Sequence, residues 1–460
     1  MTDLRSAALQ YAHENVQKTL DELNELLRIP SISTTPECKA DVNRAAKWVA
    51  AKLKALGIEN VQIFPTGGHP VVFGEYKKAG PDATTVLVYS HYDVQPAEPL
   101  ELWDSGAFDP TIRGENLYAR GASDMKGQLM AVLAAIEAIS RTGSLPTNFK
   151  FLIEGEEEIG SPNLKEFISN HKELLAADFA LNPDSGMLGA DEPTITYALR
   201  GLAYFELRIF GPDHDLHSGL FGGIVHNPAQ ALCELIAGMH DEQGRITLPG
   251  FYDSVRPLDD DERAALARLP VGDAVYMKQT GAPALWGEKG YSSVERLGAR
   301  PTLEVNGLLS GFTGEGSKTV LPAKAMAKIS CRLVPDQDPN EVQQQIIRYL
   351  DTHTPKTVRY ELITLAGGPA SISDRHSPWI EAISLAMESV WGKRPQFRRD
   401  GGSVPVVAQF QQILGIESVN SGFGLPDDNY HAPNEKLHLP TWRRGIDTCI
   451  HFFYNLKIAT

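Results

Sequence analysis

The chain has 460 residues, of which 42% are hydrophobic and 22% charged, and its formal net charge is -15 at pH 7. This composition predicts a globular protein with a substantial core and two domains, and it excludes a disordered or fibrous chain. The excess of acidic side chains argues against nucleic acid and against an anionic membrane as partners. The same negative charge is compatible with simple solubility or with a site that holds cations.

The cysteines are Cys38, Cys233, Cys331 and Cys449, and no two of them form a C-x-x-C pair. Their wide spacing predicts neither a disulfide framework nor a thiolate zinc site. The first residues contain charges and polar side chains without an apolar segment, and no apolar run reaches the length of a membrane span. We therefore expect a soluble cytoplasmic protein.

Helices and strands alternate over the first 200 residues, which predicts an α/β layer. Apolar residues at helical spacing predict helices at 4–27, 42–56 and 125–139. Short apolar runs predict strands at 61–64, 86–89, 149–154 and 179–181. Continuous apolar strands of this kind are typical of a parallel or mixed sheet that is covered on both faces.

The pattern changes near Arg200, where alternating residues predict an antiparallel strand at 202–210. A proline- and charge-rich insertion follows at 248–300. A helix is predicted before this insertion at 228–239. After it, a helix at 340–350 and strands at 323–333 and 358–365 are predicted. They indicate an α+β unit of two helices on a small sheet. Helices at 378–390 and 441–456 then return the chain to the first domain, so we expect domains at 1–200 with 377–460 and at 201–376.

Polar residues follow the apolar run at 86–89, where the chain reads Ser90, His91, Tyr92, Asp93. A strand presents alternate residues on one face, so His91 and Asp93 are expected to project together. An imidazole on an ion, oriented by a neighbouring carboxylate, is a common metal-ligand arrangement. This short stretch is equally compatible with a surface histidine beside a turn aspartate.

Acidic residues also stand at the ends of the next predicted elements. Asp124 precedes a helix, where an aspartate is often only an N-cap, but the small residues around it let a backbone and an ion approach closely. Glu157 and Glu158 end a strand, where adjacent carboxylates repel each other unless cations neutralise them; a solvated acidic turn is the alternative. Asp184 ends the following strand. Ligand sites in α/β sheets lie at such carboxyl ends.

Taken together and in order, these motifs resemble those of the M20 metallopeptidase family, within it the cytosolic nonspecific dipeptidase and carnosinase branch. The resemblance covers nearly the whole chain, and its specificity lies in the ordered series rather than in any single motif. The series consists of His91-x-Asp93, Ser123-Asp124 with Gly127, Glu157-Glu158 with Gly160-Ser161, Asp184, His217 with Gly219, and His431.

This resemblance implies an α/β catalytic domain with a mixed, largely parallel central sheet flanked by helices, plus an inserted α+β lid and dimerisation domain. It also implies two divalent metal ions per subunit. The implied ligands are His91 and Asp184 for one ion, Glu158 and His431 for the other, and Asp124 as the bridge. Oxygen and nitrogen donors without thiolates suit zinc first, with manganese or cobalt as alternatives.

The resemblance further implies that Glu157 is the general base for a water whose pKa the ions lower, while Asp93 supports the ring of His91. It implies a cis peptide bond between Asp124 and Met125. It assigns His217 to the active site of the partner subunit in a homodimer, where it stabilises an oxyanion. A loop histidine that caps its own turn is the alternative for His217.

In the dipeptidase branch, residues matching Thr319, Arg332 and Ser403 hold the C-terminal carboxylate of the substrate. Arg332 is chemically suited to this role because a guanidinium binds a carboxylate bidentately, although a surface ion pair remains an alternative. The expected function is hydrolysis of dipeptides with a free C-terminus. Deacylation of N-acyl amino acids or succinylated diaminopimelate, carboxypeptidase activity, and an inactive dimeric binding protein are the alternatives, because function depends on the substrate pocket.

Overall fold

The computed structural model describes residues 3–402 and 404–456. Its strands are β1 (Glu59–Phe64), β2 (Val71–Tyr76), β3 (Thr85–His91), β4 (Thr111–Arg113), β5 (Asn116–Tyr118), β6 (Asn148–Glu154), β7 (Phe179–Asn182), β8 (Thr194–Leu199), β9 (Gly201–Phe210), β10 (Leu216–His217), β11 (Thr302–Ser310), β12 (Val320–Leu321), β13 (Lys324–Leu333), β14 (Arg359–Gly368), β15 (Ser371–Ile372), β16 (Gln396–Asp400), β17 (Ser418–Asn420) and β18 (Lys436–His438).

The α-helices of the described residues are α1 (Leu4–Glu14), α2 (Val16–Leu27), α3 (Lys39–Ala55), α4 (Gly127–Thr142), α5 (Leu164–Asn170), α6 (Lys172–Leu175), α7 (Ser218–Phe221), α8 (Pro228–Ala237), α9 (Asp260–Ala267), α10 (Asp273–Thr280), α11 (Ser293–Ala299), α12 (Pro339–His353), α13 (Pro378–Trp391), α14 (Pro405–Gln409) and α15 (Leu439–Leu456). In this part of the chain no helix is both long enough and apolar enough to cross a bilayer.

The chain divides into two compact units. The first unit comprises Met1–Tyr197, Ser373–Arg398 and Val406–Thr460, and the second comprises Ala198–Ile372 and Arg399–Pro405. The short segment Arg399–Pro405 belongs to the second unit. The guanidinium of Arg399 lies 2.6 Å from the carboxylate of Glu262, and both side chains are buried.

The main sheet has the strand order β1-β2-β6-β3-β7-β17-β8-β15, and β16 also pairs with β8. Strand β3 runs parallel to β6 and β7, and β17 runs parallel to β7. The pairs β1–β2, β2–β6 and β8–β15 are antiparallel. Strands β6 and β7 are buried along their whole length, and in β3 only the first residue is partly exposed. The predicted α/β fold with a mixed central sheet is thus confirmed.

Helix α4 packs in the core of the first unit. Its residues from Gly127 to Ile139 are all buried, and helices α1 and α15 lie against it. A helix that is apolar on every side is stable only when it is enclosed in this way. The consequence for the site is that the turn before α4 is attached to a rigid element.

The prediction of one helix over 4–27 is wrong in one respect, because the chain breaks at Asn15 between α1 and α2. The backbone of Asn15 has φ -107° and ψ 13°, and its side-chain amide donates to the carbonyl of Tyr11 at 2.9 Å. An asparagine side chain competes in this way for backbone groups that a continuous helix would use.

The second unit contains a four-stranded antiparallel sheet with the order β11-β13-β9-β14. In β9 the residues Ala203, Phe205, Leu207 and Ile209 are buried, while the intervening residues are partly exposed. Helices α8 and α12 pack against this sheet. The alternation that predicted the strand at 202–210 therefore marks the apolar face of an α+β layer.

Candidate metal centre

His91 is the last residue of β3, and its side chain is completely buried. Its Nδ1 lies 3.1 Å from the carbonyl oxygen of Asp93 and 3.4 Å from Oδ1 of the same residue. Its Nε2 is buried without a hydrogen-bond partner among the described residues, although Oδ1 of Asp124 lies 3.3 Å away. An oriented ring with an unpartnered nitrogen facing a carboxylate fits a metal ligand.

Asp124 lies between two imidazoles. Its Oδ1 faces Nε2 of His91 at 3.3 Å, and its Oδ2 lies 2.9 Å from Nε2 of His431. Burial raises the pKa of Asp124, but the hydrogen bonds and charges of the two imidazoles outweigh burial and bring the pKa below its usual value. Each carboxylate oxygen thus faces a different nitrogen donor, which is the arrangement that a bridging ligand needs.

Two further carboxylates complete the cluster. Oδ2 of Asp184 lies 3.9 Å from Nε2 of His91, and Oε2 of Glu158 lies 3.2 Å from Nε2 of His431. Donor atoms of His91, Asp124 and Glu158 lie within 4.8 Å of one another, as do those of His91, Glu157 and Asp184. The structure therefore brings together all the residues for which the sequence predicts metal binding.

The electrostatics of the cluster favour cations. Burial and the charge of Asp124 raise the pKa of Asp184 to about 7. Burial also raises the pKa of Glu157 well above its usual value, and the neighbouring carboxylates add to this effect against the opposing charge of His91. Carboxylates in this position are costly to ionise unless positive charge is close. A cluster of oxygen and nitrogen donors with this property fits divalent metal ions.

Asp93 connects His91 to the acidic turn. Its carboxylate is fully buried and accepts backbone N–H bonds from Glu157 at 3.3 Å and from Glu158 at 3.1 Å. The side chain of Gln95, which sequence reasoning did not single out, donates to Oε2 of Glu158 at 2.9 Å. Glu157 and Glu158 are thus held by hydrogen bonds to Asp93 and Gln95.

Glu435 is the main residue of the site that sequence reasoning missed. Its Oε1 accepts from the backbone N–H groups of Ser123 and Asp124, each at 3.0 Å. Its Oε2 accepts from the N–H of Gly121 at 2.9 Å and from Nη1 of Arg120 at 2.8 Å. The side chain of Glu435 is buried, so one buried carboxylate fixes the turn that carries Asp124. A buried charge pair 315 residues apart has no spacing rule that a sequence could reveal.

The turn that carries Asp124 has an irregular backbone. Residues Ala122–Lys126 form a wide turn before α4, and the peptide bond between Asp124 and Met125 is cis, as the family resemblance implied. Gly127 is required for close packing, because a Cβ atom there would lie 2.2 Å from the carbonyl oxygen of Ala122.

The other predicted site residues lie in the second unit. His217 is exposed on β10, and its Nδ1 accepts the backbone N–H of Gly219 at 3.0 Å. The turn-capping interaction considered for this histidine is therefore present, and in the neutral ring it leaves the proton on Nε2. Thr319 lies beside it, since its carbonyl accepts the N–H of Ser218 at 3.1 Å.

Arg332 is partly buried on β13, where it pairs with Leu202 of β9. Ser403 lies outside the described residues, so the structure describes two members of the predicted carboxylate-binding set.

These features define a class of protein: an α/β fold in which imidazoles and carboxylates converge on a candidate metal centre at the carboxyl ends of parallel strands. The comparisons with known proteins agree with this class. The model of peptidase family M20/M25/M40 matches residues 87–455. The chain therefore belongs to this family.

Two relatives illustrate the similarity. The chain is 31% identical to the Cys-Gly metallodipeptidase DUG1 of Candida albicans over 461 residues, which covers 95% of this chain and 94% of the relative. It is 29% identical to the Beta-Ala-His dipeptidase of Homo sapiens over 477 residues, which covers 98% and 93%. The family and branch predicted from the motifs are thus confirmed.

Solved structures give the same result. Human carnosine dipeptidase 1 superposes with a TM-score of 0.81 at 29% identity, covering 99% of both chains. The M20 family metallo-carboxypeptidase Sso-CP2 from Sulfolobus solfataricus has a TM-score of 0.85 at 34% identity, covering 96% of this chain and 99% of that chain.

Proposed function

We propose that the protein is a metal-dependent dipeptidase that hydrolyses dipeptides with a free C-terminal carboxylate. The observation that carries the proposal is the buried, unpartnered Nε2 of His91, which faces the carboxylate of Asp124. Relatives that are named as Cys-Gly and Beta-Ala-His dipeptidases support the substrate class.

The proposed metal site holds two divalent ions, zinc first, with manganese or cobalt as alternatives. Its ligands are His91, Asp184, Glu158 and His431, with Asp124 as the bridge. When bound, such ions lower the pKa of water and polarise the carbonyl of the scissile bond.

Glu157 is the proposed general base. Its carboxylate lies within 4.8 Å of donor atoms of Asp184 and His91. Its raised pKa suits a group that must hold a proton during the reaction. It takes a proton from the attacking water as the new C–O bond forms. It then delivers this proton to the leaving nitrogen as the C–N bond breaks. The products are a carboxylate and a free amine.

His217 is the proposed donor to the oxyanion. Its Nδ1 is occupied by the N–H of Gly219, so Nε2 of the neutral ring carries a proton that it can donate. By family resemblance, His217 completes the active site of the partner subunit, and the second unit serves as lid and dimerisation domain.

Exposed apolar residues support a homodimer. Leu308 and Leu309 are more than half exposed on β11, which is an edge strand of its sheet. Leu220 on α7 is 67% exposed, and Ile224, just beyond that helix, is 79% exposed. Large apolar side chains along an unpaired strand edge are typical of an interface between subunits.

The carboxylate of the substrate is proposed to bind Thr319, Arg332 and Ser403. A site that ends in a cation one residue beyond the scissile bond accepts dipeptides and rejects C-terminal amides. A carboxypeptidase is the second candidate, because Sso-CP2 is 34% identical to this chain and its substrates also have a free C-terminus.

Turnover by the metal-reconstituted protein tests these assignments. The panel consists of free dipeptides, their C-terminal amides, longer peptides and N-acyl amino acids. We expect cleavage of free dipeptides, and a loss of about 10²- to 10⁴-fold in kcat for Glu157→Gln with unchanged metal content. Glu166→Gln, at the first turn of the surface helix α5, is the matched control. Equal cleavage of amides would contradict the carboxylate assignment, and preferred cleavage of longer peptides would favour the carboxypeptidase.

Mixing two inactive variants tests whether the active site is shared. A mixed dimer of His217→Ala and Glu157→Ala contains one intact site and one site that lacks both groups. If subunits exchange freely, half of the dimers are mixed, so we expect recovery of about a quarter of the wild-type activity. An absence of recovery, with exchange verified by differently tagged subunits, would show that each subunit builds its own site.

A further inference from the structure

Arg200 is unusual among the buried arginines of the described chain. The buried guanidinium of Arg120 pairs with Glu435, that of Arg300 with Glu288 and that of Arg399 with Glu262. Arg200 is only 9% exposed, yet no described carboxylate lies within ion-pair distance of it. Charged side chains are rarely buried unless they are paired, so the described residues leave this guanidinium able to receive an anion.

The backbone around Arg200 leaves part of its guanidinium available. Its Nε donates to the carbonyl of Gly401 at 3.1 Å, and its backbone N–H donates to the carbonyl of Gly402 at 3.0 Å. A Cβ atom at Gly401 would lie 3.0 Å from Nη2 of Arg200, so the glycine leaves room for the planar group. The bond through Nε sets the plane of the guanidinium, and among the described residues no carboxylate lies within ion-pair distance of its Nη groups.

A second arginine lies close to Arg200. Strand pairing aligns Leu333 with Gly201 and Arg332 with Leu202. Arg200 immediately precedes Gly201 and therefore lies one residue beyond the end of this pairing. Burial, followed by the positive charge of Arg332, lowers the pKa of Arg200 to about 10, against opposing effects of Asp400 and Glu304. Two neighbouring guanidiniums repel each other, and a shared anion relieves this repulsion.

We propose that Arg200 is a second binding residue for the C-terminal carboxylate of the substrate and acts together with Arg332. This inference rests on the proposed dipeptidase function and deepens it. Two guanidiniums present more than one pair of N–H donors, so they bind a carboxylate more strongly than a single arginine. An uncharged C-terminal amide in the same place gains little binding energy from either guanidinium. Arg200 thus contributes to selection of a free C-terminus.

The test compares Arg200→Gln and Arg200→Lys with Arg208→Gln. Arg208 lies on β9 but is exposed and paired with Glu206 and Glu361, which makes it the matched control. For each variant kcat/KM is measured on a free dipeptide and on its C-terminal amide, together with the thermal unfolding midpoint. We expect Arg200→Gln to lose roughly 10- to 100-fold on the free dipeptide and little on the amide, with an intermediate value for Arg200→Lys.

Equal losses on both substrates, or no loss on either, would overturn the role of Arg200 in carboxylate binding. If Arg200→Gln does not fold, the losses in kcat/KM that Arg200→Lys shows on the free dipeptide and on the amide are compared in the same way. Equilibrium binding of the free dipeptide in a Glu157→Gln background separates this inference from the function. Should the wild type cleave no dipeptide, dipeptide binding that depends on Arg200 would still support carboxylate binding, whereas binding independent of Arg200 would refute it.

Discussion

Replacement of Glu435 by glutamine tests how the candidate metal centre is held. The substitution keeps the shape of the side chain but removes its charge and converts one oxygen into an N–H donor. Each oxygen of Glu435 accepts from two donors, so either orientation of the new amide leaves one pair of donors without an acceptor. In either orientation the uncharged amide also removes the ion pair with Arg120. The cost is about 3–5 kcal/mol in free energy of unfolding, the magnitude seen when one partner of a buried charge pair is removed.

Chemical denaturation in the presence of a chelator measures this cost without contribution from bound metal. Metal affinity is measured separately by titration, and we expect it to fall roughly 10- to 100-fold because the turn that carries Asp124 loses its anchor. Glu37→Gln, at an exposed position, is the control for the same chemical change. An unchanged denaturation midpoint would refute the energetic argument. A lower midpoint with unchanged metal affinity would refute the positioning argument.

Two further predictions concern buried carboxylates outside the ligand set. Burial raises the pKa of Glu137, but hydrogen bonds from Lys18 and Lys52 outweigh burial and depress it. A depressed pKa stabilises the folded state at pH values above the pKa of the unfolded state, about 4.3. This stabilisation is lost as pH falls through the pKa of the folded state. In urea unfolding, Glu137→Gln is therefore expected to lower the free energy of unfolding by about 1–3 kcal/mol at pH 7 and by much less below pH 4. A difference between wild type and variant that does not change with pH would contradict this. Asp93→Ala is expected to weaken metal affinity roughly 10- to 100-fold by calorimetric titration, and unchanged affinity would reduce Asp93 to a turn residue.

The elements nearest the site were the easiest to predict from sequence. The apolar run at 86–89 lies within β3, and the run at 149–154 matches β6, because fully buried strands have an uninterrupted apolar pattern. Strand β11 was not predicted. Its pairing with β13 shifts register between Val305 and Gly307, and its outer positions are exposed, so its residues show no regular alternation.

The ligands and the residues that hold them also differ in how well they could be predicted. Imidazoles and carboxylates at strand ends carry a chemical pattern that is visible in the sequence. Glu435 and Arg200 have no such pattern, because what distinguishes each is a relation in space. Glu435 accepts hydrogen bonds from three backbone amides far away in the chain, and no carboxylate of the described residues lies within ion-pair distance of the buried Arg200. Only the folded chain reveals either relation.

Residues outside the proposed ligand set are therefore expected to determine much of the metal affinity. Asp93 holds two amides of the acidic turn, Glu435 holds the turn before α4, and the side-chain oxygen of Asn182 accepts the N–H of Asp184 at 3.1 Å. These hydrogen bonds thus hold the backbone that carries the proposed ligands Asp124, Glu158 and Asp184. Pre-organisation of this kind lowers the entropy cost of binding.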